Sequence, residues 1–511
     1  MNRFPQTDRL SQPTRRALLR QLGALGVAGP AMGGLGLSLA AIGQASAASS
    51  GGYRALVCIY LAGGNDAYNT VLATDSASWA PYAAARSAST GGLTLAAPGT
   101  AKVSNSSSLH ARLGGVLPID PLRDQGRSYA LHPVMGEVAT LFQRGRIAIV
   151  PNVGPLSAPT SKAAFIAGTA ARPPKLFSHN DQQSIWQSFA AEGATRGWGG
   201  RMADLLMSGN QQAMFTATSV GGNAVWLAGD QTLPYQLSTA GAIRIGGSAS
   251  SVFGAPALQQ KMLNVMSRAR NNHLIERELA SVAQRSGAAE ALLRGALPSS
   301  GPWATSGLAA GAADPLLNFI DPVTGAATPN VLAQQLQSVA RMIAARQSLG
   351  MTRQVFFVSL PGFDTHDDQA DRQAQGLARL AQGLAYFDRT LTAMGMDDAV
   401  TTFTASDFGR NLSSNGNGCD HGWGGHHFVM GGDVRGGDLY GNFPVYGAAA
   451  ANGEFNSPNQ LTQGGLLPEI PVEGYAATLG RWMGLSDAQL LSLMPNLSRF
   501  NSSTMNLGFM A

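Results

Sequence analysis

The residue types most able to do chemistry are concentrated near the C-terminus, in the segment SDFGRNLSSNGNGCDHGWGGHH, residues 406–427. This segment contains two aspartates and three of the chain's eight histidines, separated by glycines. Carboxylates and imidazoles are ligands for divalent metals, and glycines give a loop the freedom to bring ligands together. The segment is therefore a metal-binding loop, a flexible surface turn or the remnant of a lost site.

Similar side chains follow predicted strands elsewhere in the chain. The apolar runs at 53–61 and 354–360, and the stretch AVTTFTASDFGR, are typical of buried parallel strands. Because the carboxyl ends of such strands meet at one edge of an α/β sheet, we expect the polar residues that follow them to converge. Those residues are Asn65, Asp66, Asp364, His366, Asp407, Asp420, His421, His426 and His427.

The elements that must position these groups alternate along the chain. An amphipathic helix precedes a strand at 146–151, a long helix covers about 368–395, HFVMGG predicts a fifth strand, and a last helix spans about 474–493. Alternating strands and helices predict a mostly parallel sheet covered on both faces. Residues 207–350 combine short strands, alanine-rich helices and a Gly/Pro/Ala linker, and we interpret them as an insertion or cap.

Each candidate ligand also has a structural explanation. Asp66 could simply organise its turn, and Asp364 with His366 could form a hydrogen-bonded loop pair. Asp407 could form an ion pair with Arg410, which would compete with metal binding. His426 is followed directly by another histidine, and at the start of a strand their side chains face opposite ways, so the two cannot readily bind one ion.

The N-terminus predicts export. TRRALLR is a twin-arginine motif, and it is followed by an apolar stretch interrupted by glycines and a proline and by ASA, a small-residue cleavage site. The alternative, an N-terminal membrane helix, is disfavoured because those glycines and that proline weaken a helix. We therefore expect residues 1–47 to be a signal that is removed, which leaves a mature domain at 48–511. During export the twin-arginine translocase is the expected partner. After cleavage we expect no stable membrane span.

Composition narrows the class of protein. The chain has 511 residues, 44% hydrophobic and 13% charged, which predicts a large buried core. Its net charge of +5 comes mainly from residues 1–47; without them, 30 basic residues face 29 acidic ones. A nearly neutral chain with no basic patch argues against nucleic-acid binding. The two cysteines form no disulfide framework, and we expect Cys58 to be buried and unpaired.

Several motifs, in a fixed order, resemble one family. They are GGNDAYN, HPVMGEVATLFQRGRIAIVPNVG, FSHNDQQSIW, GWGGRMAD, GFDTH, SDFGR and DHG. The chain resembles the twin-arginine-exported bacterial proteins of the domain-of-unknown-function family 1501, which is placed in the alkaline phosphatase/sulfatase superfamily. The resemblance implies an α/β/α sandwich with a two-metal centre that transfers phosphoryl or sulfuryl groups.

The resemblance also implies roles for individual residues. Asp66 looks like the superfamily's first-strand metal aspartate, and Ser178, beside His179, looks like the nucleophile; a plain helix cap is the alternative for Ser178. Asp364 and His366 resemble a metal-binding pair, but the spacing is D-x-H where the superfamily has D-x-x-x-H. Asp407 resembles the aspartate of the superfamily's S-D-H-G strand end. Here Phe408 stands in place of its histidine, and His421 or His426 is the candidate replacement.

Two functions follow as hypotheses. The first is an exported metal-dependent hydrolase of phosphate or sulfate esters, acting on a small molecule or a polymer, with zinc, manganese, magnesium or calcium as the metal. The second is a catalytically inactive secreted binding or assembly protein that keeps the fold. The accumulation of acids and histidines at strand ends favours the enzyme, whereas the changed spacing and Phe408 favour the binding protein.

Overall fold

The computed structural model describes residues 52–87, 92–243, 255–268, 273–308 and 313–511, called the described ranges below. The predicted signal at 1–47, with its twin arginines and cleavage site, lies outside them. Inside them, no helix combines the length and the apolar composition that crossing a membrane requires.

The described ranges form three sheets. Their strands are, in chain order, β1 (Arg54–Ala62), β2 (Val71–Ala73), β3 (Leu117–Ile119), β4 (Tyr129–Leu131), β5 (Ile147–Gly154), β6 (Ala217–Ser219), β7 (Tyr235–Ser238), β8 (Gly241–Ala242), β9 (Asn318–Ile320), β10 (Ala327–Pro329), β11 (Arg353–Pro361), β12 (Val400–Ser406), β13 (Gly425–Met430) and β14 (Ile470–Pro471).

Helices cover the largest of these sheets. The α-helices of the described ranges are α1 (Ser76–Ser87), α2 (Leu109–Leu113), α3 (Gly136–Gln143), α4 (Lys162–Ile166), α5 (His179–Ser188), α6 (Trp198–Leu206), α7 (Pro256–Met266), α8 (Leu274–Ala296), α9 (Val331–Ala344), α10 (Gln369–Ala393), α11 (Val472–Met483) and α12 (Asp487–Leu493).

The central sheet has nine strands in the order β14-β5-β13-β12-β1-β11-β6-β7-β8. β1 runs parallel to both of its neighbours, β11 and β12, and the parallel run continues through β6 to β7. β13 runs antiparallel to β12 and β5, and β8 runs antiparallel to β7. The predicted mostly parallel sheet is therefore confirmed, and the reversed direction of β13 is the feature that the sequence pattern did not predict.

Both faces of the sheet are covered, and β1 shows why its sequence is a continuous apolar run. Its odd-numbered residues, 55–61, pack in one core with α3, α9 and α10. Its even-numbered residues, 56–60, pack in a second core with α5, α6, α11 and α12. Successive strand residues point to opposite faces, so a strand buried on both sides must be apolar at every position. The layered α/β/α arrangement follows from these two cores.

The segment 207–350 is joined to the sheet by its strands. β6 pairs with β11, and β7 and β8 extend the same sheet beyond β6. From the same segment, α9 packs in the core beneath β1 and β11. The strands are only two to four residues long, which is why the sequence shows no clear strand pattern here. The domain boundaries at 207 and 350 stay a prediction.

The single helix expected at about 474–493 is wrong, because two helices occupy this region. Gly484 ends α11 with a φ of 103°, a left-handed conformation that glycine adopts without steric cost. Ser486 then begins α12 with a capping box, in which its side chain and that of Gln489 each bond the other's backbone. A glycine followed two residues later by a serine cap was the available sequence signal for this break.

Glu473, in the first turn of α11, makes the stability of the fold depend on pH. Burial raises its pKa to about 7, against an ordinary 4.5, and the hydrogen bond from Asn496 opposes the shift only in part. A carboxyl with a raised pKa contributes its full stability below pH 4.5 and loses it as the pH rises through 7. At pH 8 the free energy of unfolding of Glu473→Gln should therefore exceed that of wild type by up to about 3 kcal/mol, so the variant should unfold at a higher denaturant concentration. At pH 4.5 the two proteins should unfold at the same denaturant concentration.

The exposed Glu469 supplies the control for this pH effect, since Glu469→Gln should leave the pH profile unchanged. Denaturant unfolding at the two pH values, followed by tryptophan fluorescence, checks both variants. A Glu473→Gln midpoint that differs from wild type equally at both pH values would contradict the assignment.

Candidate metal centre

The candidate site lies at the carboxyl edge of β1, β11 and β12. The register pairs Ala62 with Pro361 and Leu61 with Ser406, so the three strands end side by side. The loops that follow them therefore leave the sheet at one place. This confirms the physical basis of the sequence prediction, and the individual side chains then decide which groups meet.

Three side chains meet closely enough to hold one metal ion: His179, Asp364 and His421 each offer a ligand atom within 4.8 Å of the others. Oδ2 of Asp364 lies 3.5 Å from Nε2 of His179, and its Oδ1 lies 3.5 Å from Nε2 of His421. His366 joins the same cluster, because its Nε2 lies 2.8 Å from Nε2 of His421 and 3.3 Å from Oδ1 of Asp364.

His179 is the first residue of α5 and is oriented by Asp407. Its Nδ1 lies 2.7 Å from Oδ2 of Asp407, a fully buried carboxylate that also accepts a hydrogen bond from Gln183 at 2.8 Å. The Asp407 hydrogen bond raises the pKa of His179, and burial opposes the rise. Because Asp407 can only accept, Nδ1 carries the proton and Nε2 is the nitrogen left to face Asp364.

His421 is oriented in the same way by a backbone carbonyl. Its Nδ1 lies 2.7 Å from the carbonyl oxygen of Phe177, so Nδ1 donates and Nε2 turns toward Asp364. A backbone bridge between Arg410 and His421 fixes this loop beside the end of β12. Burial lowers the pKa of His421, partly countered by the Phe177 hydrogen bond, and the charge of Arg410 lowers it further. With Nδ1 engaged by the Phe177 carbonyl, Nε2 is the nitrogen through which His421 would bind a metal.

Asp364 is shared between the histidines and Arg410. Arg410 donates to its Oδ1 at 2.6 Å, while 46% of the Asp364 side chain is exposed. Burial raises the pKa of Asp364, but the hydrogen bond and charge of Arg410, with the two histidines His179 and His366, outweigh it and lower the pKa. The carboxylate is thus ionised, and Oδ2 remains available. The ion pair between Arg410 and Asp407 considered from sequence is wrong, since Arg410 pairs with Asp364.

Asp66 does not join the cluster. It is fully buried and accepts hydrogen bonds from Arg86 at 2.6 and 3.0 Å, from Gln369 at 2.6 Å and from the backbone of Tyr68 at 3.1 Å. These bonds occupy the lone pairs a metal would need, so the structure contradicts its expected role as a ligand. Asn65 is also buried, and it accepts from Thr70 and Gln373 rather than facing the histidines.

His426 also lies away from the cluster. It is 1% exposed, its Nδ1 accepts from the backbone of Asn152 at 3.0 Å, and its ring packs on Phe443. Burial lowers its pKa to about 3. The next residue, His427, packs on Trp186 in the opposite core, as strand alternation predicts. The expectation that His426 is a metal ligand is therefore wrong, because β13 turns it into the protein interior.

Ser178 and Asp420 lie at the margin of the site. Ser178 immediately precedes α5, but its hydroxyl donates to Oδ2 of Asp181 at 3.0 Å and makes no cap bond to the helix backbone. Ser178 is the N-cap residue by position, but its side chain does not cap the helix backbone, and its role as nucleophile stays a prediction. Asp420 accepts from Asn415 at 2.8 Å and lies 3.3 Å from Nδ1 of His366, where it can orient that ring.

Phe408 forms a wall of the site where the superfamily pattern has a histidine. Its ring centroid lies 4.8 Å from that of His179 and 4.4 Å from that of His421. Gly64, with a φ of 91°, packs directly against this ring, and a Cβ there would overlap it. The aromatic ring therefore fixes the two imidazoles from the inner side without binding a metal.

Sequence reasoning missed two functional residues. The sequence pattern indicates His179 only as the neighbour of Ser178, because the partner that orients it, Asp407, is 228 residues away. Arg86 was not considered, since nothing in the pattern of α1 shows that its side chain reaches Asp66. The available signal for His179 was its position, since it is the first residue of a helix and directly follows Ser178, a predicted site residue.

The sequence profile of a family of proteins of unknown function, DUF1501, matches residues 53–494. The chain belongs to this family. No curated protein matches this DUF1501 member in sequence.

Solved structures resemble the DUF1501 chain distantly. Ps i-CgsB in complex with k-i-k-neocarrahexaose is 8% identical over 89% of this chain and 78% of that one, with a TM-score of 0.34. PsFucS1 sulfatase from Pseudoalteromonas sp. is 9% identical over 94% and 76%, with a TM-score of 0.31. Alkaline phosphatase from the Antarctic bacterium TAB5 is 10% identical over 74% and 92%, with a TM-score of 0.25. With TM-scores this low, the fold rests on the strand order of the DUF1501 chain itself.

Asp407 gives a direct test of how the site is built. Asp407→Asn keeps the size of the side chain but removes the charge that holds Nδ1 of His179, so the affinity for Zn²⁺ should fall about 10–100-fold. Competition with a chelating dye measures this affinity. Asp388→Asn is the matched control, because Asp388 is a buried aspartate that pairs with Arg146 outside the site. Equal Zn²⁺ affinities in both variants would contradict the role given to Asp407.

Proposed function

We propose that the chain is an exported metal-dependent hydrolase of phosphate or sulfate esters. The observation that carries the proposal is the convergence of His179, Asp364 and His421 at the carboxyl edge of the sheet. Nδ1 of His179 is hydrogen-bonded to Asp407, and Nδ1 of His421 is hydrogen-bonded to the Phe177 carbonyl. A chance cluster of surface residues has no need of such support, whereas a metal site does.

The donor set favours zinc over manganese, magnesium or calcium. Imidazole nitrogens suit zinc, whereas manganese, magnesium and calcium prefer sites made mostly of oxygen. With His366 beside it, the cluster offers three imidazoles and one carboxylate. A bound divalent ion of this kind polarises an ester oxygen and offsets the negative charge that develops on the transferred group.

The chain's own residues prepare the site for an anionic ester. Arg410 offsets part of the Asp364 charge, so the cluster is less repulsive to phosphate or sulfate than a bare carboxylate would be. The side chains of Asp364 and His366 are 46% and 44% exposed, which leaves the outer side open to a substrate. Phe408 closes the inner side. Solvent-facing ligands with a packed inner wall suit hydrolysis of an ester that approaches from outside.

Ser178 is the proposed nucleophile because it precedes His179 directly and its hydroxyl proton already has an acceptor, Asp181. In this role Ser178 Oγ forms the bond to phosphorus or sulfur, the bond to the ester oxygen breaks, and Asp181 takes the hydroxyl proton while the leaving oxygen takes a proton from solvent. Water then displaces Ser178 Oγ from the seryl ester, which releases phosphate or sulfate, and Ser178 regains its proton from Asp181. Ser178→Ala distinguishes this pathway from direct attack by water, since activity that survives the substitution assigns the attack to water.

The binding or assembly function remains the second candidate, and one observation favours it. Arg86 occupies the carboxylate of Asp66, so one of the groups that the superfamily pattern would use is not free. A protein that binds a metal or a partner at this edge without hydrolysis would tolerate this loss.

Export is part of the proposal. The twin arginines and the ASA site at 1–47 support translocation by the twin-arginine translocase and a periplasmic or secreted mature protein at 48–511. The nearly equal numbers of acidic and basic residues in that mature chain support a partner other than nucleic acid.

Asp364→Ala tests the proposed function. The purified mature wild type should hold close to one zinc ion per chain and cleave an aryl phosphate or an aryl sulfate. The variant should lose the ion, and its kcat/KM should fall by more than the roughly 100-fold cost of losing a supporting residue, because a ligand is removed. Metal analysis by plasma mass spectrometry and a chromogenic assay measure the two effects.

Asp367→Ala is the matched control, because Asp367 lies on the same loop but its side chain is 70% exposed and pairs with Arg372. This variant should keep both metal and activity. A wild type that holds metal but cleaves neither ester would favour the binding protein, and a wild type that holds no metal would refute the hydrolase.

A further inference from the structure

Asp66 lies at the same edge of the sheet as the candidate metal ligands, but its carboxylate is already occupied by other side chains. It follows β1, whose neighbours β11 and β12 lead into Asp364 and Asp407. Its side chain and that of Arg86 are both fully buried, and their closest atoms are 2.6 Å apart. Arg86 binds both carboxylate oxygens, and Gln369 and the Tyr68 backbone also donate to them.

Arg86 is held in place independently of Asp66. Its Nε donates to the carbonyl of Leu412 at 3.0 Å, and one terminal nitrogen donates to the carbonyl of Asn411 at 3.2 Å. Its guanidinium also lies 5.7 Å from the centre of the Tyr68 ring. The cation is therefore fixed between α1 and the loop that follows β12. A metal at Asp66 would have to displace a buried charge from several partners at once.

Asp364 provides the contrast. Arg410 pairs with only one of its oxygens, and about half of the side chain is exposed. Its other oxygen faces Nε2 of His179. Asp364, which follows β11, is therefore accessible to a metal ion, whereas Asp66, which follows β1, is neutralised by the buried Arg86. The two-metal centre implied by the superfamily resemblance does not fit these residues.

We infer that the Arg86 guanidinium takes the place of a second metal ion, so that the centre binds one divalent ion, at His179, Asp364 and His421, and Asp66 is neutralised from within. This inference rests on the metal centre of the proposed function. It concerns the number of ions and the identity of the second positive charge, whichever ester is the substrate.

Native mass spectrometry of the mature protein titrated with Zn²⁺ tests the number of ions. Wild type should bind one ion per chain, and His421→Ala should lose it. Asp66→Asn/Arg86→Met removes both members of the buried pair, so no charge is left unpaired, and this variant should still bind one ion with an affinity within threefold of wild type.

The outcomes separate this inference from the proposed function. Two ions per wild-type chain, with one lost in the double variant, would overturn the inference and leave the metal centre standing. No ion in wild type would overturn the metal centre and the inference together.

Arg86→Ala tests whether the guanidinium replaces an ion. Removing it leaves the buried Asp66 carboxylate without a counter-charge, so this variant should bind a second Zn²⁺ ion, and that ion should raise its melting temperature. The control is Asp66→Asn/Arg86→Ala, which should bind one ion and gain no such stabilisation. A single ion in Arg86→Ala, at saturating Zn²⁺, would show that Arg86 is only structural and would overturn the replacement.

Discussion

The candidate site depends on the way Arg410 joins three loops at the edge of the sheet. This buried guanidinium donates to the carbonyls of Gly63 and Gly64 after β1, of Phe363 after β11, and of Cys419 in the loop after β12. It also binds Asp364 at 2.6 Å. Loops that leave parallel strands side by side still need a common anchor to hold their side chains in register. Arg410 provides five such bonds from one rigid planar group.

The same arginine links structure to chemistry. By holding the Cys419 carbonyl it fixes the loop that carries His421, and by binding Asp364 it orients the carboxylate between the histidines. A second buried arginine, Arg86, closes Asp66 in a similar way. Two guanidinium groups thus determine which aspartate stays open. The electrostatic potential at this edge therefore depends on the two fixed guanidinium groups as much as on the histidines that would bind a metal ion.

Strand positions and their common edge could be predicted from the sequence, because burial on both faces leaves a continuous apolar run that ends in a recognisable turn. Asp364, His366 and His421 could be brought together by that argument alone, since each follows a strand or lies in the loop after one. The exclusion of Asp66 could not be predicted. It depends on the side chain of Arg86, whose contact with Asp66 is set by packing of α1 rather than by any local pattern.

Side-chain alternation along β13 explains the failure at His426. A strand that runs antiparallel to β12 brings its first residues toward the site edge, but alternation then turns one histidine into each core. His421 precedes that strand and is free to face the cluster. His179 shows the opposite case, where a residue with only a weak positional signal becomes central because a carboxylate distant in sequence orients it.

The central claim is that His179, Asp364 and His421 bind a metal ion together, and anomalous X-ray diffraction from crystals of the mature protein grown with Zn²⁺ tests it most directly. The account predicts one strong peak at the zinc edge, bonded to Nε2 of His179 and His421 and to a carboxylate oxygen of Asp364. A peak at Asp66, or no peak among these three side chains at full zinc saturation, would contradict it.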